Sequence, residues 1–440
     1  MAKLATLVLA AFVMLSAHAQ SPDPALLTEI LKIKAIDNHS HPPALVADGE
    51  TDDDYDALPC DRLEPTQPTL AGRPENPMFL AAWKALYGYK YDDRTDAHIR
   101  ELMEAKKRVR REQGDHFPNW VLDQSGIEIE LANRVAMGRG LMPRRFLWVP
   151  FDDALMLPLN NQSLASETPD RRFFYAREEK LLKRYLADLK LKELPATLEE
   201  YTAKVVLPTL QRQKESGAVA VKFEAAYLRA LDFQAVPLAQ ASPIYSRYVR
   251  GGIPSKADYT TLQDYLFKFI AREAGPMQLP VHIHTGSGCG SYFKLSGADP
   301  LLLDSMLNDA ELRKTNFVLI HGGAGPFTKQ TAFLLSKPNV YADFSEQTWL
   351  LSTRELGQVI RNWLEWYPEK VMFGTDLFPG SREIDWEEIG WQTTRESREA
   401  LAIALTGMMQ DQQITRERAM ELARMVLREN AVRLYHFPAH

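Results

Sequence analysis

Five of the ten histidines in this chain stand where an apolar run meets a polar segment, a placement suited to holding a metal ion. They are His39, His41, His282, His284 and His321. The segment Ile36-Asp37-Asn38-His39-Ser40-His41 carries two of them one residue apart. Alternate residues of a strand share a face, so His39 and His41 point the same way. Two imidazoles so placed can grip one divalent cation. Taken alone, His-x-His is equally well a pair of structural side chains. Val281-His282-Ile283-His284-Thr285-Gly286, Leu319-Ile320-His321-Gly322-Gly323 and Phe373-Gly374-Thr375-Asp376 repeat the arrangement, the last with a carboxylate. A lone histidine there is more often a satisfied core residue than a ligand. Four such ends are hard to explain in that way, because burying unpartnered polar groups is costly.

The two histidines of Val281–Gly286 are not equivalent. His284 lies nearer the carboxyl end and is the expected ligand; His282 sits one pleat deeper and reads as a supporting structural group. Lys222, in Val219-Ala220-Val221-Lys222-Phe223-Glu224, ends another apolar run. An ammonium beside a divalent cation is unfavourable. If Lys222 faces the metal it must be neutral, paired with a carboxylate such as Glu224, or chemically modified; the alternative is that it leans out to solvent. His98, His116, His436 and His440 follow no pattern.

Such residues need a scaffold that gathers strand ends. Candidate strands fall at 33–38, 126–131, 145–149, 218–223, 279–284, 317–321, 340–344 and 371–375, with helical patterns between them, for example at 198–215 and 356–366. Repeated strand–helix alternation predicts an α/β protein with a parallel sheet, and eight repeats favour a closed (β/α)8 barrel. An open doubly wound sheet is the runner-up, but no Gly-x-Gly-x-x-Gly turn follows the first strand. Long insertions at 48–78 and 225–275, after strands 1 and 4, extend from the catalytic rim, where they cover the site or merely decorate the surface.

Composition agrees with a globular protein: 45% apolar, 25% charged, net charge −6 over 440 residues. No basic excess points to nucleic acid. The run Lys106-Lys107-Arg108-Val109-Arg110-Arg111 reads as a solvated helix end before Gly114. Lys3, the apolar run from Leu4 to Leu15 and Ala17-His18-Ala19 form the layout of a secretory signal peptide over 1–19, leaving 20–440 as one barrel domain, exported to the periplasm or secreted. No later stretch is long and apolar enough to span a membrane. Cys60 and Cys289 are too few for a disulfide-dependent fold and are taken as free or singly paired, outside the chemistry.

This constellation resembles the amidohydrolase superfamily, specifically its amidohydrolase-2-related branch, through His39-Ser40-His41, His284, His321 and Asp376. The ending Leu427-Arg428-Glu429-Asn430-Ala431-Val432-Arg433-Leu434-Tyr435 is similar to that family's closing helix, and the likeness spans residues 30–436. The resemblance implies a distorted (β/α)8 TIM barrel holding one or two divalent metals, zinc or manganese. With one metal, it implies His39, His41, His284 and Asp376 as ligands and His321 as the acid/base or polarising group. With two, a carboxylated lysine in the position of Lys222 bridges them and His321 becomes a ligand. A carbamate there would replace the troublesome cation with an anion.

The expected reaction is hydrolysis of an amide, ester or lactone in a small molecule. A divalent metal lowers the pKa of its water to about 7, Asp376 accepts the proton and passes it to the leaving group, and His321 or the metal stabilises the oxyanion. The alternative is a metal-dependent non-oxidative decarboxylase using nearly the same residues. A carboxylated Lys222 favours hydrolysis, whereas a cationic Lys222 or Arg229 gripping a carboxylate fits either. A binding protein on an inactive barrel is disfavoured because every ligand position is intact. Trp148, Tyr227 and Glu346 are rim candidates for substrate contact.

Overall fold

Short runs rich in branched residues cannot bury themselves alone; they pair sideways, and parallel pairing requires a crossover between each two strands. The computed structural model, which describes residues 21–47 and 49–437, contains eight such strands. They are β1 (Ala35–Ser40), β2 (Ile127–Asn133), β3 (Phe146–Val149), β4 (Val221–Phe223), β5 (Val281–Gly286), β6 (Phe317–Ala324), β7 (Val340–Asp343) and β8 (Val371–Met372). All neighbours are parallel, in the orders β1-β2-β3 and β4-β5-β6-β7-β8. Two irregular seams close the ring. At one, Val219 N–H donates to Trp148 O (3.0 Å), and Asp152 N–H to Lys222 O (2.9 Å). At the other, Asn38 N–H donates to Phe373 O (3.0 Å), and Asp376 N–H to His39 O (2.7 Å). The result is a distorted (β/α)8 barrel.

The expected strands overlap the observed ones, but β4 and β8 are shorter than their apolar runs. In β8 the cause is visible: Phe373 N–H turns away to Val426 O (3.1 Å), so the ladder breaks before Asp376. The 198–215 pattern forms one continuous helical stretch interrupted by a π-turn over Thr202–Val206. Pro208 follows at once and lacks the N–H that an uninterrupted α-helix would use there. The 356–366 pattern is the helix Thr353–Trp366, started by a reciprocal Ser352–Glu355 capping box.

Inside the ring, Ile36, Leu131, Val149, Ala220, Val318, Ile320 and Met372 form an apolar layer. Ala431, Leu434 and Tyr435 of the closing helix Asn430–Tyr435 pack against it, so this end of the barrel is stoppered. Polar strand ends are thereby concentrated at the opposite, carboxyl face.

The two insertions differ in use. The first supplies Tyr55, Asp56, Leu58, Cys60 and Asp61 to the wall of a cavity at the barrel mouth. Of 225–275, only Tyr227 reaches that wall; Lys256–Ala274 is the ordinary crossover helix, and Leu238–Tyr248 packs on it. The basic run at 106–111 is not simply solvated. Lys106 is buried on the helix Asp96–Gln113, its Nζ 2.8 Å from Glu388 Oε1 and 3.3 Å from Glu387 Oε1, while Arg110 reaches Asp385 and Glu387. Charges that look like a solvent face here pin a long helix to its neighbour. The expected signal peptide lies outside the described residues.

Cys60 and Cys289 are joined, 229 residues apart in sequence, and both line the cavity. They are therefore part of the site's frame, tying the β1 insertion to the segment after β5. Cross-linking so long a loop restricts the unfolded chain, and losing such a bond costs about 2–4 kcal/mol. Replacing both cysteines with serine should lower stability by that amount in denaturant titration; an unchanged midpoint would show the bond to be structurally idle.

Asp152, just beyond β3, is fully buried, with Oδ1 accepting from Gln213 Nε2 (2.7 Å) and Oδ2 without a partner. Burial pushes its pKa up to about 7, with neighbouring Asp153 adding to the rise and Gln213 opposing it. The folded-state pKa exceeds the unfolded value of about 3.9, so this contribution is fully present below about pH 4 and lost as pH rises through about 7. Asp152→Asn should therefore reduce the stability loss between pH 5 and pH 8 by roughly 2–3 kcal/mol relative to the parent. Parallel pH profiles of the two proteins would contradict that.

Candidate metal centre

Each site residue leaves a strand where the backbone changes course. Within β1, Asp37 holds the backbone in place: its Oδ1 accepts from His39 N–H (3.2 Å) and from Thr375 N–H (2.9 Å), binding β1 to the segment that follows β8. His321 on β6 has φ +65, Glu346 after β7 has φ +66 and Asp376 after β8 has φ +59. Non-glycine residues adopt this left-handed backbone only where the surroundings enforce it. For His321 the enforcement is explicit: its N–H donates to Asp343 Oδ1 (2.9 Å) and its carbonyl accepts from Gln347 Nε2 (2.9 Å). Gly286 must remain bare, since a Cβ there would stand 2.2 Å from Ala324 N.

These turns gather the side chains. His39 Nε2 is 3.1 Å from Asp376 Oδ1, and His41 Nε2 is 3.5 Å from the same oxygen. His321 Nε2 is 3.1 Å from His284 Nδ1. Donor atoms of His39, His321 and Asp376 lie within 4.8 Å of one another. His41, Asp56 and Glu224 form an adjoining group with the same spacing. His41 thus meets Asp376 on one side and, through Nδ1, Asp56 Oδ2 at 3.5 Å on the other. His284 approaches the first group through His321.

Proton placement explains why these imidazoles suit a cation. Ser345 Oγ donates to Asp343 Oδ1 (2.6 Å), so at 2.9 Å it accepts from His321 Nδ1–H, leaving a lone pair on His321 Nε2. His284 Nε2–H donates to Ser287 O (2.7 Å), leaving a lone pair on Nδ1. The two lone pairs face each other. Neither ring takes up a proton to relieve this: burial, then Lys222, lowers His284 to about 3, while burial and then His284 lower His321 well below the usual range. Burial also keeps His39 and His41 neutral, and both leave a buried Nδ1 without a hydrogen bond. Asp376 is held well above the ordinary carboxylate range, first by burial and then by Glu346. Neutral imidazoles with converging lone pairs beside a destabilised carboxylate are a donor set that fits a divalent cation.

Lys222 is fully buried rather than solvent-facing. Its Nζ lies 3.2 Å from His39 Nε2 and 3.8 Å from Glu224 Oε1, which places it against the site and beside a carboxylate. His282 stands apart, with Nε2 2.7 Å from the Tyr435 hydroxyl, which itself donates to Asn38 Oδ1 (2.5 Å). Tyr227 and Glu346 line the cavity. Trp148 is not on that wall; its indole N–H donates to Arg134 O (2.9 Å) on the outer side of β3. Arg229 is also turned away, committed to Asp264 (2.6 Å) and stacked 4.4 Å from the Phe233 ring centre, so it grips no substrate carboxylate. Asp56, in an insertion with no strand pattern to place it, is not marked by the sequence. Nor are Asp343 and Ser345, whose role emerges only through the proton arrangement around His321.

The cavity above this centre measures about 730 Å³, ample for a small-molecule substrate. Comparison with known proteins gives three further findings. The amidohydrolase family profile matches residues 206–437, just over half of the chain. Protein fluG of Emericella nidulans is 31% identical over 160 residues, which is 36% of this chain but only 17% of that much longer protein. Among solved structures, glucuronate isomerase from Caulobacter crescentus superposes with a TM-score of 0.62 at 13% identity, covering 96% of this chain and 97% of its own. A Lactobacillus casei ATCC 334 protein, provisionally named a metal-dependent hydrolase, gives 0.56 at 14% identity, covering 95% and 92%. Likeness at such low identity concerns the fold.

Proposed function

This chain belongs to the amidohydrolase family, and from that premise we propose that it is a metal-dependent hydrolase cleaving an amide, ester or lactone bond in a small molecule. The observation that carries this reading is the convergence of the His284 and His321 lone pairs with His39 and Asp376 at the floor of the cavity. Zinc is the proposed metal, since mixed imidazole and carboxylate donors suit it, with manganese the alternative. A divalent cation there would lower the pKa of water to about 7 and polarise the bond under attack.

The chain's own residues supply the rest. Asp376, resisting ionisation in its buried setting, is fitted to take a proton from water and return it to the departing heteroatom. His39 fixes Asp376 from one side, and Ser345 with Asp343 fixes the His321 ring and its tautomer. Lys222, paired with Glu224, is the group for carboxylation if a second cation binds. Decarboxylation is the second reading. Against it stands the cavity wall: among the described residues lining it there is no lysine or arginine to receive a substrate carboxylate. Incubating metal-loaded protein with matched amides, esters, lactones and aromatic carboxylic acids tests the choice. Acid release supports hydrolysis, and carbon dioxide release without it selects the lyase.

Export is proposed as well. The charged start and apolar run before Gln20 support it, and so does the Cys60–Cys289 bond, of a kind that persists in oxidising compartments. Among the described residues no helix is long and apolar enough to cross a membrane.

A further inference from the structure

Among the described residues, five carboxylates face the cavity, from Asp56, Asp61, Glu224, Glu346 and Asp376, and no lysine or arginine does. Asp61 already accepts from the Tyr55 hydroxyl (2.8 Å). Glu346 is the distinctive member. It belongs to neither group of candidate metal donors, and its Oε2 is buried without a hydrogen bond, 3.8 Å from His321 Nδ1. Glu224, whose side chain is 5% exposed, likewise keeps Oε2 unpartnered. What the cavity reaches is the rest of the Glu346 side chain, 12% exposed, and a carboxylate on a wall without a cationic partner is costly unless something arrives to fill that place.

The surroundings indicate what would fill it. Glu346 has φ +66 and starts the short helix Gln347–Leu350, in which Trp349 lies three residues on. Trp349 also lines the cavity, stacked edge-on against Phe378 with ring centres 5.1 Å apart. Tyr227 forms another part of the wall, its ring centre 4.7 Å from that of His284. A carboxylate with aromatic faces nearby is the combination that attracts an organic cation.

We propose that the substrate carries a cationic nitrogen, an ammonium or amidinium group, received by Glu346 beside Tyr227 and Trp349 while the bond to be cleaved lies over the metal centre. This rests on the hydrolase reading for the reaction, but not for the binding. A protonated amine cannot ligate a metal, so its recognition falls to these side chains.

The test has two arms. In the first, metal-loaded protein is offered acetanilides bearing a para aminomethyl, hydroxymethyl or carboxymethyl group. We expect kcat/KM for the aminomethyl compound to exceed the hydroxymethyl value by at least about tenfold, and Glu346→Gln to collapse that ratio to about twofold or less. Equal or greater turnover of the hydroxymethyl or carboxymethyl compound overturns the inference while leaving the hydrolase reading intact. In the second arm, calorimetry compares benzylammonium with benzyl alcohol on the same protein. Tighter binding of benzylammonium by about tenfold, lost in Glu346→Gln, supports the cation site even if none of the amides is cleaved. In that event the cation site stands by itself, and the hydrolase reading is decided by the amide, ester and lactone panel. Benzyl alcohol binding as tightly in the parent overturns the inference without reliance on any variant.

Discussion

Asp376→Asn is expected to reduce kcat by about a thousandfold or more, the scale of losing a positioned general base together with an anionic ligand. Its carboxylate meets both His39 Nε2 (3.1 Å) and His41 Nε2 (3.5 Å). Asparagine has the same shape but neither the charge nor the basicity. The fold should survive. In the metal-free protein, burial already pushes the Asp376 pKa well above the ordinary range, with Glu346 and Asp343 adding to the rise and Lys222 opposing it. A folded-state pKa raised in this way means that ionisation at high pH costs stability. A neutral amide escapes that cost, so the variant's melting temperature at pH 8 should equal or exceed the parent's. Full activity with the barrel folded would refute the assignment.

His39→Ala should abolish cation binding and, with it, turnover. Removing a ligand is expected to weaken affinity by more than the roughly 10- to 100-fold seen when only a ligand's supporting partner is lost. There is a specific reason for a large effect here. His39 Nε2 stands between Asp376 Oδ1 (3.1 Å) and Lys222 Nζ (3.2 Å). Without the ring, the buried ammonium is free to approach the carboxylate, and an internal ion pair would occupy the space a cation needs. Divalent cation content measured after equilibration with zinc should fall from at least one per chain to about a tenth of that or less, while His98→Ala, on the helix Asp96–Gln113, changes nothing. Retained metal in His39→Ala would remove His39 from the ligand set.

Much of this arrangement was legible in the amino-acid order because barrel geometry converts a local pattern into a long-range one. Every parallel strand ends at the same face, so a histidine after each apolar run is enough to predict a cluster without knowledge of which loops lie between. His39, His284, His321 and Asp376 follow that rule. Of what escaped, Asp56 and Ser345 do not sit on strands, and Asp343 ends a strand that carries no histidine. Asp56 reaches the cavity from an insertion whose course depends on the bond between Cys60 and Cys289, a pairing that strand periodicity does not encode. Trp148 and Arg229 are near strand ends but turned elsewhere: Trp148 alternates on β3 with the inward Val149 and donates to Arg134 O, and Arg229 is committed to Asp264. Lys106 shows the converse, a charge in a basic run that tertiary contact with Glu387 and Glu388 takes out of solvent. Side-chain direction outside regular elements follows tertiary partners, and these have no local signature.

Hydrolysis by this chain depends on imidazoles and one carboxylate, contributed by segments hundreds of residues apart, acting together on one divalent ion. Elemental analysis of protein purified without chelator, followed by chelator dialysis and zinc or manganese readdition with acid release monitored throughout, examines that dependence most directly. At least one divalent ion per chain is predicted, with activity disappearing on its removal and returning on its restoration. Undiminished acid release from metal-free protein would contradict the account at its root.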